Sequence, residues 1–166
     1  MMKRGKGCVV ASDFRHGKNF RMGNYCVIMR GCQVGDNVWL EHFVLLKPGT
    51  VIGSDTFVDS YVKSSGQNRI GSHVTLRFNA TIAREVIVED DVFISPNVMT
   101  IYSTHTGEKR GGTVIGAGCH IGTNAVIGPA VKIAAGSVIG ALAYVNRNIE
   151  EQGVYIGAPA RKLRDL

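Results

Sequence analysis

The chain has 166 residues, 45% apolar and 19% charged, which suits one folded domain over 1–166 and disfavours wholesale disorder. No apolar run approaches the roughly 18 residues that span a bilayer, so no membrane span is expected and a cytoplasmic location is the default. The net charge of +6 gathers towards the two ends, but no recognisable nucleic-acid motif accompanies it, so an anionic small ligand or a solvated surface is favoured over nucleic acid.

The first stretch, 1–21, carries Lys3, Arg4, Lys6, Arg15, Lys18 and Arg21 and is expected as an N-terminal cap. Its apolar run from Cys8 to Ala11 is too short for a signal-peptide core.

From Met22 onward, apolar residues recur every six positions. They are Met22, Ile28, Val34, Leu40, Leu46, Ile52, Val58, Ile70, Leu76, Ile82, Val88 and Ile94, then Ile115, Ile121, Ile127, Ile133, Ile139 and Val145. Only Ser64 breaks the series. Four residues after each anchor stands a small or β-branched side chain such as Cys26, Cys32, Val38, Val44, Cys119 or Ala125, with Asn68 the exception. Three residues after many anchors stands Gly, Asn or Asp, which tolerate a left-handed backbone. A period of six means one short strand and one corner per hexad, and three hexads close one triangular coil. The fold class is therefore all-β, a parallel β-helix of about six coils.

The register slips once. Ile94 and Ile115 are not separated by a multiple of six, so 101–113 is expected as an extruded loop, and it contains His105. The stretch 146–166 follows the last anchors as a C-terminal tail.

The hexads resemble those of the left-handed β-helix acyltransferases, the hexapeptide transferases; the left hand comes from that resemblance alone, since parallel crossovers in general favour the opposite hand. Ile94 to His105, with Pro96-Asn97-Val98 ahead of the histidine, is similar to the segment of sugar and xenobiotic O-acetyltransferases that ends in the catalytic histidine. The coils from Ile115 and the tail Gly157-Ala158-Pro159-Ala160-Arg161 are similar to the family's acetyl-CoA-binding end.

The resemblance implies His105 as catalytic base and Thr123, Ala141, Asn146, Arg147 and Arg161 as contacts to acetyl-CoA, with no metal. It implies a homotrimer with clefts between neighbouring prisms. Galactoside-type enzymes place an Asn and an Asp on the acceptor where this chain has Thr75 and Ala83, so Asn79, Arg84 and Glu85 are the substrate-binding candidates. The acceptor implied is a small molecule, a sugar or nucleotide-linked sugar, with N- and O-transfer both open.

The chemistry suits the residue. An alcohol is a weak nucleophile at neutral pH and an ammonium must first lose a proton; imidazole is the side chain suited to take it. Two other readings share the fold. One is an O-acetyltransferase of a xenobiotic or antibiotic. The other is a γ-carbonic-anhydrase-like metal protein, against which no two histidines here are five residues apart. Cys26, Cys32 and Cys119 occupy the small core position and are read as packing residues, not nucleophiles.

Overall fold

The computed structural model describes residues 3–166, and these form 25 strands and no helix. All but the last two strands are two residues long. They stack into three sheets, the faces of a triangular prism. The first face has ten strands from Lys3–Arg4 to Arg161–Arg164, the second eight from Val9–Val10 to Tyr144–Val145, and the third seven from Arg15–His16 to Lys132–Ile133. Apart from the last two strands of the first face, neighbouring strands belong to successive coils and pair in parallel, as Phe57 does with Trp39 and Thr75. The architecture agrees with the left-handed parallel β-helix that the resemblance implies.

Within each two-residue strand from Arg21–Met22 onward the first side chain points out and the second is buried. Leu40, Ile82, Ile94, Ile121 and Ile139 are fully buried anchors, and Val38, Ala80 and Ala125 fill the corners behind them. Burying one such aliphatic side chain contributes about 1.5–3 kcal/mol. No helix among the described residues is long and apolar enough to cross a membrane.

The prism has eight coils, where the apolar spacing predicts about six. Part of the difference lies in 1–21. From Lys3 onward this segment runs as a coil in register, with Lys3 opposite Arg21, Val9 opposite Val27 and Arg15 opposite Gln33. Its inward positions hold Arg4, Val10 and His16, so a hydrophobic period cannot reveal it. Polar side chains are tolerated there because, among the described residues, the first coil is stacked on one side only. Phe14 and His16 lie against buried Phe20, ring centroids 5.4 Å away in each case, and cover that end of the core.

Most corners hold a left-handed residue three positions after the anchor. Asn37, Asp55, Asn79 and Asn97 supply it at little cost, but Tyr25, Phe43 and Tyr61 also sit there with φ of 57°, 58° and 64°. A bulky side chain in that conformation costs on the order of 1–2 kcal/mol. The three rings stack along one corner, Tyr25 on Phe43 at 5.2 Å and Phe43 on Tyr61 at 4.8 Å, which offsets part of that strain.

The two exceptions to the hexad pattern explain each other. Ser64 and Asn68 are both buried, and the Ser64 hydroxyl donates to Asn68 Oδ1. The Asn68 amide donates to the Ala83 carbonyl, Gly66 N–H donates to Asn68 Oδ1 at 3.1 Å, and the Thr50 and Ser64 hydroxyls are 2.6 Å apart. A closed set of partners removes most of the penalty for polar burial.

At the far end, Val154–Ile156 adds to the first face and Arg161–Arg164 returns antiparallel to it. Ala160 N–H donates to the Tyr144 carbonyl at 2.7 Å and Tyr144 N–H donates to the Gly157 carbonyl at 2.9 Å. The tail thereby closes over the last strand of the second face.

Candidate active site

The chain leaves the prism after Thr100, at the corner between the second and third faces. The 101–113 segment folds as a hairpin rather than an open loop. Arg110 N–H donates to the Tyr102 carbonyl at 2.8 Å, Ser103 bridges Lys109, and Thr104 N–H donates to the Glu108 carbonyl at 2.8 Å. Gly107 N–H closes the tip onto the Thr104 carbonyl at 2.9 Å with a φ of 82°. His105 stands at this tip, exposed.

Glu85 lies under the hairpin. The Tyr102 hydroxyl, on the outgoing leg, is 3.5 Å from both Glu85 carboxylate oxygens, and Arg84 Nε is 3.4 Å from one of them. Arg84 and Glu85 therefore meet the base of the hairpin. Asn79 does not join them. It sits at the corner between the first and second faces, where Lys63 Nζ donates to its Oδ1 at 2.8 Å and its amide donates to Asn97 at 3.0 Å.

His105 lines a groove of about 510 Å³ together with Ile101, Ser103, Thr104, Arg110, Pro129, Tyr144 and Asn146. Arg110 is held by Glu108 at 2.9 Å, which raises its guanidinium pKa above the ordinary value. Asn146 also lines a second, smaller cleft with Arg147, Asn148, Tyr155, Arg161 and Lys162. Lys162 is clamped by Glu151 at 2.9 Å and Asp165 at 2.7 Å, which push its ammonium pKa up and draw the Asp165 carboxyl down. Three candidate CoA contacts, Asn146, Arg147 and Arg161, thus share one basic cleft that abuts the His105 groove. The donor set fits phosphate oxygens.

Thr123 and Ala141 lie elsewhere. They are on successive coils at the corner between the first and second faces, where the Thr123 carbonyl accepts from Leu142 N–H at 3.0 Å. Within one chain the second face separates them from Asn146 and Arg147.

The remaining chemistry-bearing side chains are engaged in packing. All four cysteines are buried, Cys8 included. Burial pushes the Cys26 thiol from 9.0 up to about 11, and raises Cys32 and Cys119 as well. His120 stacks on Phe93 at 4.8 Å, and His42 Nδ1 accepts from Asn24 N–H at 2.8 Å. Among the described residues, no three His, Cys, Asp or Glu side chains are grouped to hold a metal ion.

Residues 112–147 match the family model described as bacterial transferase hexapeptide (six repeats). Over 115 residues the chain is 35% identical to galactoside O-acetyltransferase of Escherichia coli, a match covering 62% of this chain and 57% of that protein. Residues 112–147 are thus hexapeptide repeats similar to those of bacterial transferases.

Solved structures agree. The hexapeptide-repeat protein superposes on a hexapeptide-repeat acetyltransferase from Vibrio cholerae with a TM-score of 0.58 at 25% identity, covering 75% of this chain and 72% of that one. It superposes on LpxA from Acinetobacter baumannii with a TM-score of 0.84, covering 98% of this chain and 67% of that one; at 20% identity this likeness speaks to the fold. The chain spans just over half the length of the galactoside enzyme it matches.

Tyr144, Pro129 and Arg110, which line the hexapeptide-repeat protein's groove, were not among the sequence candidates. A usable signal existed for Tyr144. Counting coil by coil, Met99 stacks on Val126 and Val126 on Tyr144, which places Tyr144 on the face that leads into the hairpin.

Proposed function

We propose that the hexapeptide-repeat protein is an acetyltransferase that moves an acetyl group from acetyl-CoA to an amino or hydroxyl group of a sugar or nucleotide-linked sugar. The observation that carries this reading is His105, exposed at the tip of a hairpin and lining a groove that abuts the basic cleft of Asn146, Arg147 and Arg161. The sequence relationship to galactoside O-acetyltransferase supports the same chemistry.

In this mechanism His105 accepts the proton of the acceptor O–H or N–H as that atom attacks the thioester carbonyl. Backbone N–H groups stabilise the oxyanion, and the imidazolium returns its proton to the departing CoA thiolate. Arg147 and Arg161 take CoA phosphates, with Asn146 between the two clefts. Thr123 and Ala141, on the other corner, reach acetyl-CoA from a neighbouring prism, so the working unit is a homotrimer with sites between subunits. Asn79, Arg84 and Glu85 remain candidate acceptor contacts, and a cytoplasmic location follows from the co-substrate.

The test is release of free thiol from acetyl-CoA across a panel of sugars, amino sugars and nucleotide sugars. One acceptor class is expected to turn over, and His105→Ala to lower kcat by roughly 10²–10⁴-fold with the fold intact. Undiminished turnover in that variant removes His105 from the mechanism. Absence of binding to acetyl-CoA removes the reading altogether.

A further inference from the structure

Residues 3–21 hold six of the chain's 19 cationic side chains and one of its 13 carboxylates, a net +5 out of +6. The structure places them as a collar around the open end of the prism. Lys3, Arg4 and Arg21 lie on the first face, Lys6 on the first corner, Arg15 on the third face and Lys18 on the third corner. All six are exposed. Every ion pair among the described residues lies beyond residue 40, so the collar is not neutralised within the chain.

Two of the six have local partners: the Arg4 guanidinium donates to the Cys8 carbonyl, and Arg21 sits over the Trp39 ring at 4.7 Å. Lys3, Lys6, Arg15 and Lys18 project freely. Apolar side chains accompany them at the same end, with Val9 63% and Tyr25 54% exposed. A cleft of about 320 Å³ on the rim is lined by Lys3, Arg21, Asn19, Asn37 and Phe20.

Charge on an edge strand guards against pairing with another chain, and either sign serves that purpose. The collar is almost wholly of one sign. Because its cations are spread over the first and third faces and two corners, no single side presents them together; only a plane laid across the end meets them all. A linear polyanion is better served by a stripe, and Phe14 and Phe20, which stand among the basic residues, pack on each other at the end of the core instead of offering free faces to bases.

We propose that this end is a docking surface for an anionic lipid membrane, with the free lysines and Arg15 on headgroup phosphates and Val9 and Tyr25 at the interface. The proposal is independent of the acetyltransferase reading. The collar is five coils from the hairpin, about 24 Å at one strand spacing per coil, so a docked prism holds the His105 groove clear of the lipid.

The experiment is co-sedimentation of the whole chain with vesicles of phosphatidylcholine alone and of phosphatidylcholine with about one third phosphatidylglycerol. A DNA duplex of equal phosphate concentration serves as competitor. Binding to the anionic vesicles only is expected, reversed by 0.5 M salt. Each cation near such a surface contributes roughly fivefold to partitioning, so the combined Lys3→Gln, Lys6→Gln, Arg15→Gln, Lys18→Gln variant is expected to lose at least about a hundredfold. Circular dichroism of the variant confirms that the prism persists. No binding by the intact chain, equal binding by the variant, or displacement by the duplex would each overturn the proposal, the last in favour of a nucleic-acid surface.

Discussion

Gly111 passes so close over Glu85 that a Cβ built on the glycine would collide with Glu85 Oε2. The returning leg of the hairpin therefore covers the carboxylate that the Tyr102 hydroxyl, on the outgoing leg, approaches from the other side. Both legs rest on one side chain. Gly111→Ala forces the flexible end of Glu85 aside and breaks its approach to Tyr102. Thermal stability is expected to change little, because both groups are near the surface. Acetyl transfer is expected to fall roughly ten- to a hundredfold, since a shift of about 1 Å at a reacting group is enough for that. Steady-state kinetics beside a melting curve separate the two effects, and unchanged kcat would show that the hairpin does not depend on this seat.

The buried set of Thr50, Ser64, Asn68 and Ala83 offers a stability test. Asn68→Leu orphans the Ala83 carbonyl, leaves the Ser64 hydroxyl only Thr50 and leaves Gly66 N–H only its 3.3 Å approach to Ser64 Oγ. One orphaned buried group costs about 1–3 kcal/mol, so a loss of that order is expected. Adding Ser64→Val to that change restores the aliphatic hexad, and the Ser64–Asn68 hydrogen bond that each single change breaks is lost only once in the double. Denaturant unfolding of the wild type, both single variants and the double variant is expected to show the double as less than additive.

Phe43 stacks between Tyr25 and Tyr61, so Phe43→Ala removes two ring contacts while leaving the left-handed backbone in place. A loss of about 1–3 kcal/mol is expected in denaturant unfolding. A neutral result would mean that the ring column contributes nothing beyond the corner itself.

The thiols give a pH prediction. Burial favours the neutral form of Cys26, whose pKa rises from 9.0 to about 11 in the folded chain. Its contribution to stability is thus fully present below pH 9 and is lost as the pH climbs towards 11. Alkylation at pH 8 is expected to be slow at all four cysteines until denaturant opens the prism. Rapid labelling of the native protein would contradict the burial.

The spacing of Met22, Ile28, Val34 and their successors makes the prism legible because each inward position is covered above and below and must be apolar. Where that condition lapses, so does the signal. Arg4, Val10 and His16 stand at the open end, and the first coil is invisible to a hydrophobic count. Ser64 and Asn68 read as isolated defects because their compensation is mutual and reaches onto the next strand's corner at Ala83. For the site, the slip between Ile94 and Ile115 marks the hairpin, but nothing in the spacing pairs Tyr102 with Glu85. Thr123 and Ala141 stand apart from Asn146 and Arg147 because consecutive corners of a triangular coil face different directions, which a linear motif does not record.

Ile94 pairs with Ile121 across the hairpin in the same parallel geometry that joins Ile121 to Ile139, where no insertion intervenes. The extra chain thus enters and leaves at one corner without disturbing the stacking above or below. The gap it bridges is one that an ordinary corner spans, so hairpins of other lengths can close it equally well. Selection can then exchange the reacting segment while the scaffold keeps its sequence, and relatives built on the same rungs are free to diverge in what they modify.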